Sequence, residues 1–217
     1  ECTMPKPKDG RLPMILEATK TLKTDIGEDT ALYGLITGPF TLASHLRGTM
    51  IFMDMFDDDD YVKELIKYST DVAIRMSDLY IDAGMDVIAA VDPLVSQISP
   101  AHFEEFLKDE YTRLFDHLRN RKVFSSFFVC GDATKNIDVM CQTKPDSISI
   151  DENIDIGKAK DITDKYNITI GGNIQLTITM LHGSQTDNMK AVIDIIDSVN
   201  DKNNLIISPG CDMPYDT

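Results

Sequence analysis

Residues 205–214 read LIISPGCDMP. Leu205, Ile206 and Ile207 form an apolar run too short for a helix, and Ser208-Pro209-Gly210 breaks it, so Cys211 stands where a buried strand stops and a loop opens. Residues 123–132, VFSSFFVCGD, close the same way: an apolar run ends in Cys130-Gly131-Asp132. If both runs are parallel strands pointing one way, their terminal cysteines lie on one face of the sheet, where two thiols can share a metal.

The pattern recurs outward from these two stretches. Residues 31–38 (ALYGLITG) run into Gly38-Pro39, residues 85–91 (MDVIAAV) into Asp92-Pro93, and residues 146–150 (DSISI) into Asp151-Glu152. Residues 168–170 (ITI) run into Gly171-Gly172-Asn173. Between them lie stretches of helical periodicity: residues 12–23, 39–47, 101–120, 133–140, 156–166 and 185–199. A further long one begins at the acidic cluster 57–60 and ends at Gly84, the cluster reading as a helix cap that favours the N-terminal dipole. Strands that are near-continuously apolar, alternating with helices, indicate a parallel sheet covered on its faces. The expected fold is α/β, a (β/α)8 TIM barrel with about six of eight units present and the N-terminal units missing. An open doubly wound sheet is the alternative, but no strand is followed by a glycine-rich dinucleotide loop.

The chain has 217 residues and 42% hydrophobic content, enough for one large domain. It opens on Glu1-Cys2 without an initiator methionine and stops just after a strand-end loop. We therefore expect residues 1–217 to be a single truncated domain, the C-terminal two-thirds of a longer protein. A formal net charge of −15 opposes phosphate backbones and anionic lipid surfaces, so neither nucleic acid nor membrane is an expected partner. No apolar run is long enough to span a bilayer, and no signal-peptide pattern is present. The four cysteines, Cys2, Cys130, Cys141 and Cys211, contain no CxxC pair and do not form a disulfide framework; a reducing, cytoplasmic setting is expected.

The residues just past the expected strand ends are Gly38, Asp92, Cys130 with Asp132, Asp151 with Glu152, Asn173, and Cys211 with Asp212. This set is acidic and thiol-bearing. It lacks a histidine, a Ser/His/Asp arrangement and a basic phosphate clamp, which removes nucleophilic hydrolysis and phosphoryl transfer. Each member also has a structural reading: a cysteine beside a strand is a small buried hydrophobe, Asp92 before proline terminates its strand, Asn173 holds a turn and Glu152 is a solvated carboxylate. Cys141, at a short helix, reads as structural. Of the histidines, none falls at a strand end, and His45 on the second turn of its helix reads as packed.

Taken in order, Gly38-Pro39-Phe40-Thr41-Leu42-Ala43, Ala90-Val91-Asp92-Pro93 with Ile98-Ser99-Pro100 and Phe103, Cys130-Gly131-Asp132, Ser149-Ile150-Asp151, Gly172-Asn173 and Ser208-Pro209-Gly210-Cys211-Asp212 resemble the uroporphyrinogen decarboxylase-like superfamily. The ending resembles its corrinoid-dependent methyltransferase branch, of the methylcobamide:coenzyme M methyltransferase type. Decarboxylases of the family carry a histidine-containing loop where Cys211-Asp212 stands here, and a Phe-Asp-Ser-Trp-like strand end in place of Val91-Asp92-Pro93. The resemblance implies a barrel and a zinc site of the form His-x-Cys with a distant second Cys, matched by Cys130 and Cys211, with Glu152 near where some members offer a carboxylate. Phe128 occupies the histidine position and cannot bind zinc. Asp92, Asp132, Asp151 and Asn173 are the expected substrate-binding residues, and no catalytic residue beyond the metal ligands is assigned. The implied activity is transfer of a methyl group from a methylcorrinoid, supplied by a carrier protein, to a small-molecule thiol activated by zinc. Two other readings stay open: a decarboxylase, which would need cationic clamps for a polycarboxylate, and a metal-free barrel that binds a corrinoid protein. A truncated barrel is also expected to self-associate and to be inactive alone.

Overall fold

The computed structural model describes residues 3–213, 215 and 217; Cys2, expected in an irregular terminus, lies outside them. Fifteen regular elements follow one another: α1 (Leu12–Ile26), β1 (Tyr33–Thr37), α2 (Pro39–Arg47), α3 (Ile51–Asp57), α4 (Asp59–Ala83), β2 (Val87–Val91), α5 (Pro100–Phe106), α6 (Lys108–Asn120), β3 (Phe124–Val129), α7 (Ile137–Cys141), β4 (Ser147–Ile150), α8 (Ile156–Thr163), β5 (Thr169–Ile174), α9 (Gln185–Ser198) and β6 (Leu205–Pro209). The six strands form one parallel sheet in the order β1-β2-β3-β4-β5-β6, the α/β arrangement of a TIM-like barrel. Contacts divide the chain into two compact units, Glu1–Asp92 with Glu105–Ser126 and Pro93–Glu104 with Phe127–Thr217.

The first unit is built on α4. Asp58 accepts the Tyr61 N–H as its N-cap, with Asp59 and Asp60 in the first turn, and Gly84 closes the helix at φ +106°, where a side chain would be strained. Val62, Ile66, Ser69, Thr70, Ala73 and Ser77 recur at three- and four-residue spacing and are buried. Beyond them the core holds Ile88, Leu107, Tyr111, Leu114, Phe115 and Leu118, all with no exposed surface. Each such Leu, Ile or Phe contributes about 1.5–3 kcal/mol relative to exposure. β1 pairs with β2 from Tyr33↔Val87 to Thr37↔Val91.

In the second unit β4 pairs with β5 and β5 with β6. β5 was expected to stop at Gly171, yet it continues through Ile174, with Gly172 opposite Ile207 and Asn173 opposite Ser208. The glycines are there for closeness: a Cβ on Gly171 would meet Ser149 Oγ at 3.1 Å and one on Gly172 would meet the Ile150 carbonyl oxygen at 3.0 Å. The expected helix over 101–120 is two helices, α5 and α6, which meet at Leu107, where φ widens to −117°. Three elements are not expected from the sequence: α3, a 3-10 turn over Pro93–Gln97 and a π-helical turn over Leu176–Leu181.

Candidate functional site

Cys130 and Cys211 meet. Their Sγ atoms lie 2.8 Å apart although 81 residues separate them along the chain, and both side chains are partly exposed. Each sulfur is carried by a loop anchored separately. The loop of Cys130 turns at Gly131, φ +83°, and the Gly131 N–H donates to Asp151 Oδ2 at 2.7 Å. Asp151 Oδ1 accepts from the backbone and side-chain amides of Asn153, so this carboxylate fixes two segments at once. The loop of Cys211 is pinned one residue earlier, where the Gly210 N–H donates to the Ile174 carbonyl at 3.0 Å. A Cβ on Gly210 would stand 2.6 Å from the Glu152 backbone nitrogen, so only glycine lets the loop come this near.

The other residues named from the sequence make contacts of their own. Asn173, 8% exposed, donates from Nδ2 to the carbonyls of Asp151 and Ile154 and so holds the strand-end loop that carries Asp151. Glu152 Oε2 accepts the Leu176 N–H at 2.6 Å. Asp132 is exposed and accepts from the backbone and hydroxyl of Thr134, which lowers its pKa. Asp92 belongs to the first unit. It has no exposed surface and accepts four hydrogen bonds: from Phe40 N at 2.9 Å, Thr41 N at 3.0 Å, Thr41 Oγ1 at 2.6 Å and Tyr111 OH at 2.5 Å. The two backbone donors are orphans of the first turn of α2, whose Pro39 has no N–H to satisfy. A Cβ on Gly38 would lie 2.5 Å from Asp92 Oδ2, which explains the glycine before Pro39. Burial pushes the Asp92 carboxyl up and its donors oppose the shift; Tyr111 is pushed well above its usual value by burial and by Asp92.

Thr41 and Tyr111 carry no periodic signal that would have exposed them as partners of Asp92. Asn136, fully buried and donating to the carbonyls of Val95 and Ile98, was likewise missed. Cys141 is buried and its thiol is pushed up to about 12 by burial first and Asp138 second. His45 is exposed. A separate cavity of about 560 Å³ lies between the π-helical turn and α9, lined by Asn173, Gln175, Thr179, His182, Lys190 and Asp194 among others, and by neither cysteine.

Whether the donors present suit the zinc implied by the resemblance can be judged from their chemistry. Two soft sulfurs stand side by side, and burial, the second cysteine, and then Asp151 and Asp212 push the Cys130 thiol up to about 12. A partly desolvated dithiol among carboxylates fits a thiophilic divalent cation, which stabilises the thiolates that the surroundings alone disfavour. Phe128, near the end of β3 and two residues before Cys130, brings no nitrogen, and among the described residues no group of three His, Cys, Asp or Glu side chains is assembled to hold a metal. A cation here would take two protein sulfurs and leave its other positions to water, substrate or a rearranged carboxylate.

Comparison with known proteins places the chain among relatives of one family. The chain is 28% identical over 206 residues to the methylcobamide:CoM methyltransferase MtbA of Methanosarcina acetivorans, covering 94% of this chain and 59% of that protein. It is 29% identical over 207 residues to the methylcobamide:CoM methyltransferase MtaA of Methanosarcina barkeri, covering 93% and 58% respectively. Among solved structures, a methyltransferase from Methanosarcina mazei superposes with a TM-score of 0.89 at 23% identity, over 99% of this chain and 64% of that one, which shows the shared fold. The chain thus spans about three-fifths of the length of these relatives. The family profile for uroporphyrinogen decarboxylase (URO-D) matches residues 1–217, and the chain belongs to that family.

Proposed function

We propose that the protein containing this chain transfers a methyl group from a methylated corrinoid, presented by a separate carrier protein, to a small-molecule thiol of the coenzyme M kind. The convergence of Cys130 and Cys211 carries the reading. Zinc, when bound by these two sulfurs with Glu152 as the candidate further ligand, would supply a Lewis acid that keeps the acceptor thiol deprotonated at neutral pH. Asp151 and Asn173 set the position of Cys130, and Gly210 sets that of Cys211. Asp132, exposed beside them, is available to the substrate. The acceptor sulfur attacks the methyl carbon, and the electron pair of the carbon–cobalt bond leaves with the corrinoid.

Elemental analysis of protein purified without chelator tests the metal. About one zinc per chain is expected, falling to none in Cys130→Ser, with Phe128→His raising affinity by roughly 10–100-fold. Absence of zinc from both wild type and Phe128→His removes this mechanism and favours the second reading, a metal-free barrel that binds a corrinoid protein, for which Phe128 is the specific observation. Among the described residues no helix is long and apolar enough to cross a membrane. A cytoplasmic setting belongs to the same proposal, and the free thiols of Cys130, Cys141 and Cys211 support it. Self-association belongs to the same proposal: Tyr33 and Leu35 on the end strand β1 are 48% and 54% exposed. Size-exclusion chromatography returning a monomer at every concentration would remove it.

A further inference from the structure

Three thiols lie among the described residues, and only two of them face each other. Cys141 is sealed within the core, whereas Cys130 and Cys211 are partly exposed with their sulfurs 2.8 Å apart. A disulfide bond is about 2.05 Å long, so closing the pair needs a relative movement of under about 1 Å. Both loops that carry the sulfurs are held from outside the pair, by Asp151 and by Ile174, so neither anchor has to break for the sulfurs to join. A zinc shell completed by histidine would shield such a pair. Here Phe128 leaves that shell short, and no third ligating side chain is assembled among the described residues.

We propose that Cys130 and Cys211 form an oxidisable dithiol, closed to an intramolecular disulfide by low-molecular-weight disulfides. One cysteine sulfur attacks the reagent, expels one thiolate and forms a mixed disulfide. The second then attacks the cysteine sulfur of that mixed disulfide, forms the Cys130–Cys211 bond and expels the other thiolate. The two cysteines are oxidised by two electrons in all, the reagent is reduced to two thiols, and the two cysteine protons pass to the departing thiolates. Because the second sulfur is already in contact, the mixed disulfide is short-lived. Only the consequence rests on the proposed methyl transfer: closure withdraws both sulfurs from any metal. The disulfide of the acceptor thiol is then the natural oxidant, so the state of the acceptor pool would set the state of the site.

The test uses chelator-treated chain carrying Cys2→Ser, incubated with 2-hydroxyethyl disulfide under native conditions and read by thiol counting and peptide mass spectrometry. Two thiols should be lost per chain, with one cross-linked peptide pair joining Cys130 to Cys211, Cys141 still free, and both thiols restored by dithiothreitol. Cys130→Ser should instead accumulate a stable mixed disulfide on Cys211. Unchanged thiol content, or stable mixed adducts on the parent chain, overturns the proposal. Zinc content does not enter this readout, so its failure and the failure of the metal reading are separate results.

Discussion

Asp92 and Cys130 both follow a strand, both lie in the stretches on which the family resemblance was based, and their surroundings are opposite. Asp92 is sealed, and four donors converge on its two oxygens. Cys130 is partly open to solvent, and its sulfur contacts another sulfur rather than a hydrogen-bonded frame. A polar group whose capacity is filled in the core holds structure; one left with unused capacity at the surface is free for chemistry. The aspartate and the cysteine cannot be sorted by their place in the strand-loop pattern, only by what surrounds them.

The comparison breaks first at Asp92. Asp92→Ala strands two backbone N–H groups and two hydroxyls in the core, and a loss of about 3–5 kcal/mol is expected in urea unfolding. The pH dependence follows from the raised carboxyl. The folded chain then binds the proton more tightly than the unfolded one, whose carboxyl has its ordinary value of 3.8, so stability falls as pH rises from there through the folded value. Asp92→Asn should flatten that part of the profile. A loss below about 1 kcal/mol in the alanine variant would mean that Asp92 is not the scaffold described.

How much of this was readable beforehand differs between the two regions. The strand ends were, because apolar runs closed by Gly38-Pro39, Asp92-Pro93 and Gly210 are local signals. α2 was expected over residues 39–47 and is found there, since Pro39 at its first turn marks the start unambiguously. The two cysteines could be paired only through the barrel hypothesis and the family resemblance, as nothing local joins positions 130 and 211. The clasp of Thr41 and Tyr111 on Asp92 was invisible for the same reason: a hydrogen bond across 51 residues leaves no periodicity. Gly171-Gly172 misled, because glycine punctuates loops far more often than it lets two strands pack closely.

A smaller effect is expected at Asp151, which links the two kinds of role. It is 8% exposed, like a scaffold residue, yet what it holds is the turn after Cys130. Asp151→Ala should cost about 1–3 kcal/mol, from the unsatisfied Gly131 and Asn153 amides. It should weaken cadmium binding by the thiol pair by roughly 10–100-fold, read from the thiolate charge-transfer absorption. Unchanged cadmium affinity would show that Asp151 stabilises the loop without placing the sulfur.

The smallest expected effect lies at a third polar cluster, also in the first unit. Along α4 and α6, Arg121 pairs with Asp78 and Asp82, and His117 Nε2 meets Asp78 Oδ1 at 3.0 Å. Counted as bonds, this network rivals the one around Asp92. Its members are different in one respect: their side chains are 23–66% exposed, so water competes for every charge and salt screens what remains. Arg121→Ala should therefore cost at most about 1 kcal/mol, and part of that is lost packing of the arginine stem. A double-mutant cycle with Asp82→Ala isolates the ionic part, which should shrink further as salt is raised. A coupling above about 2 kcal/mol would show that exposure is the wrong measure for ranking these clusters, and the contrast between Asp92 and Cys130 would then need a different physical basis.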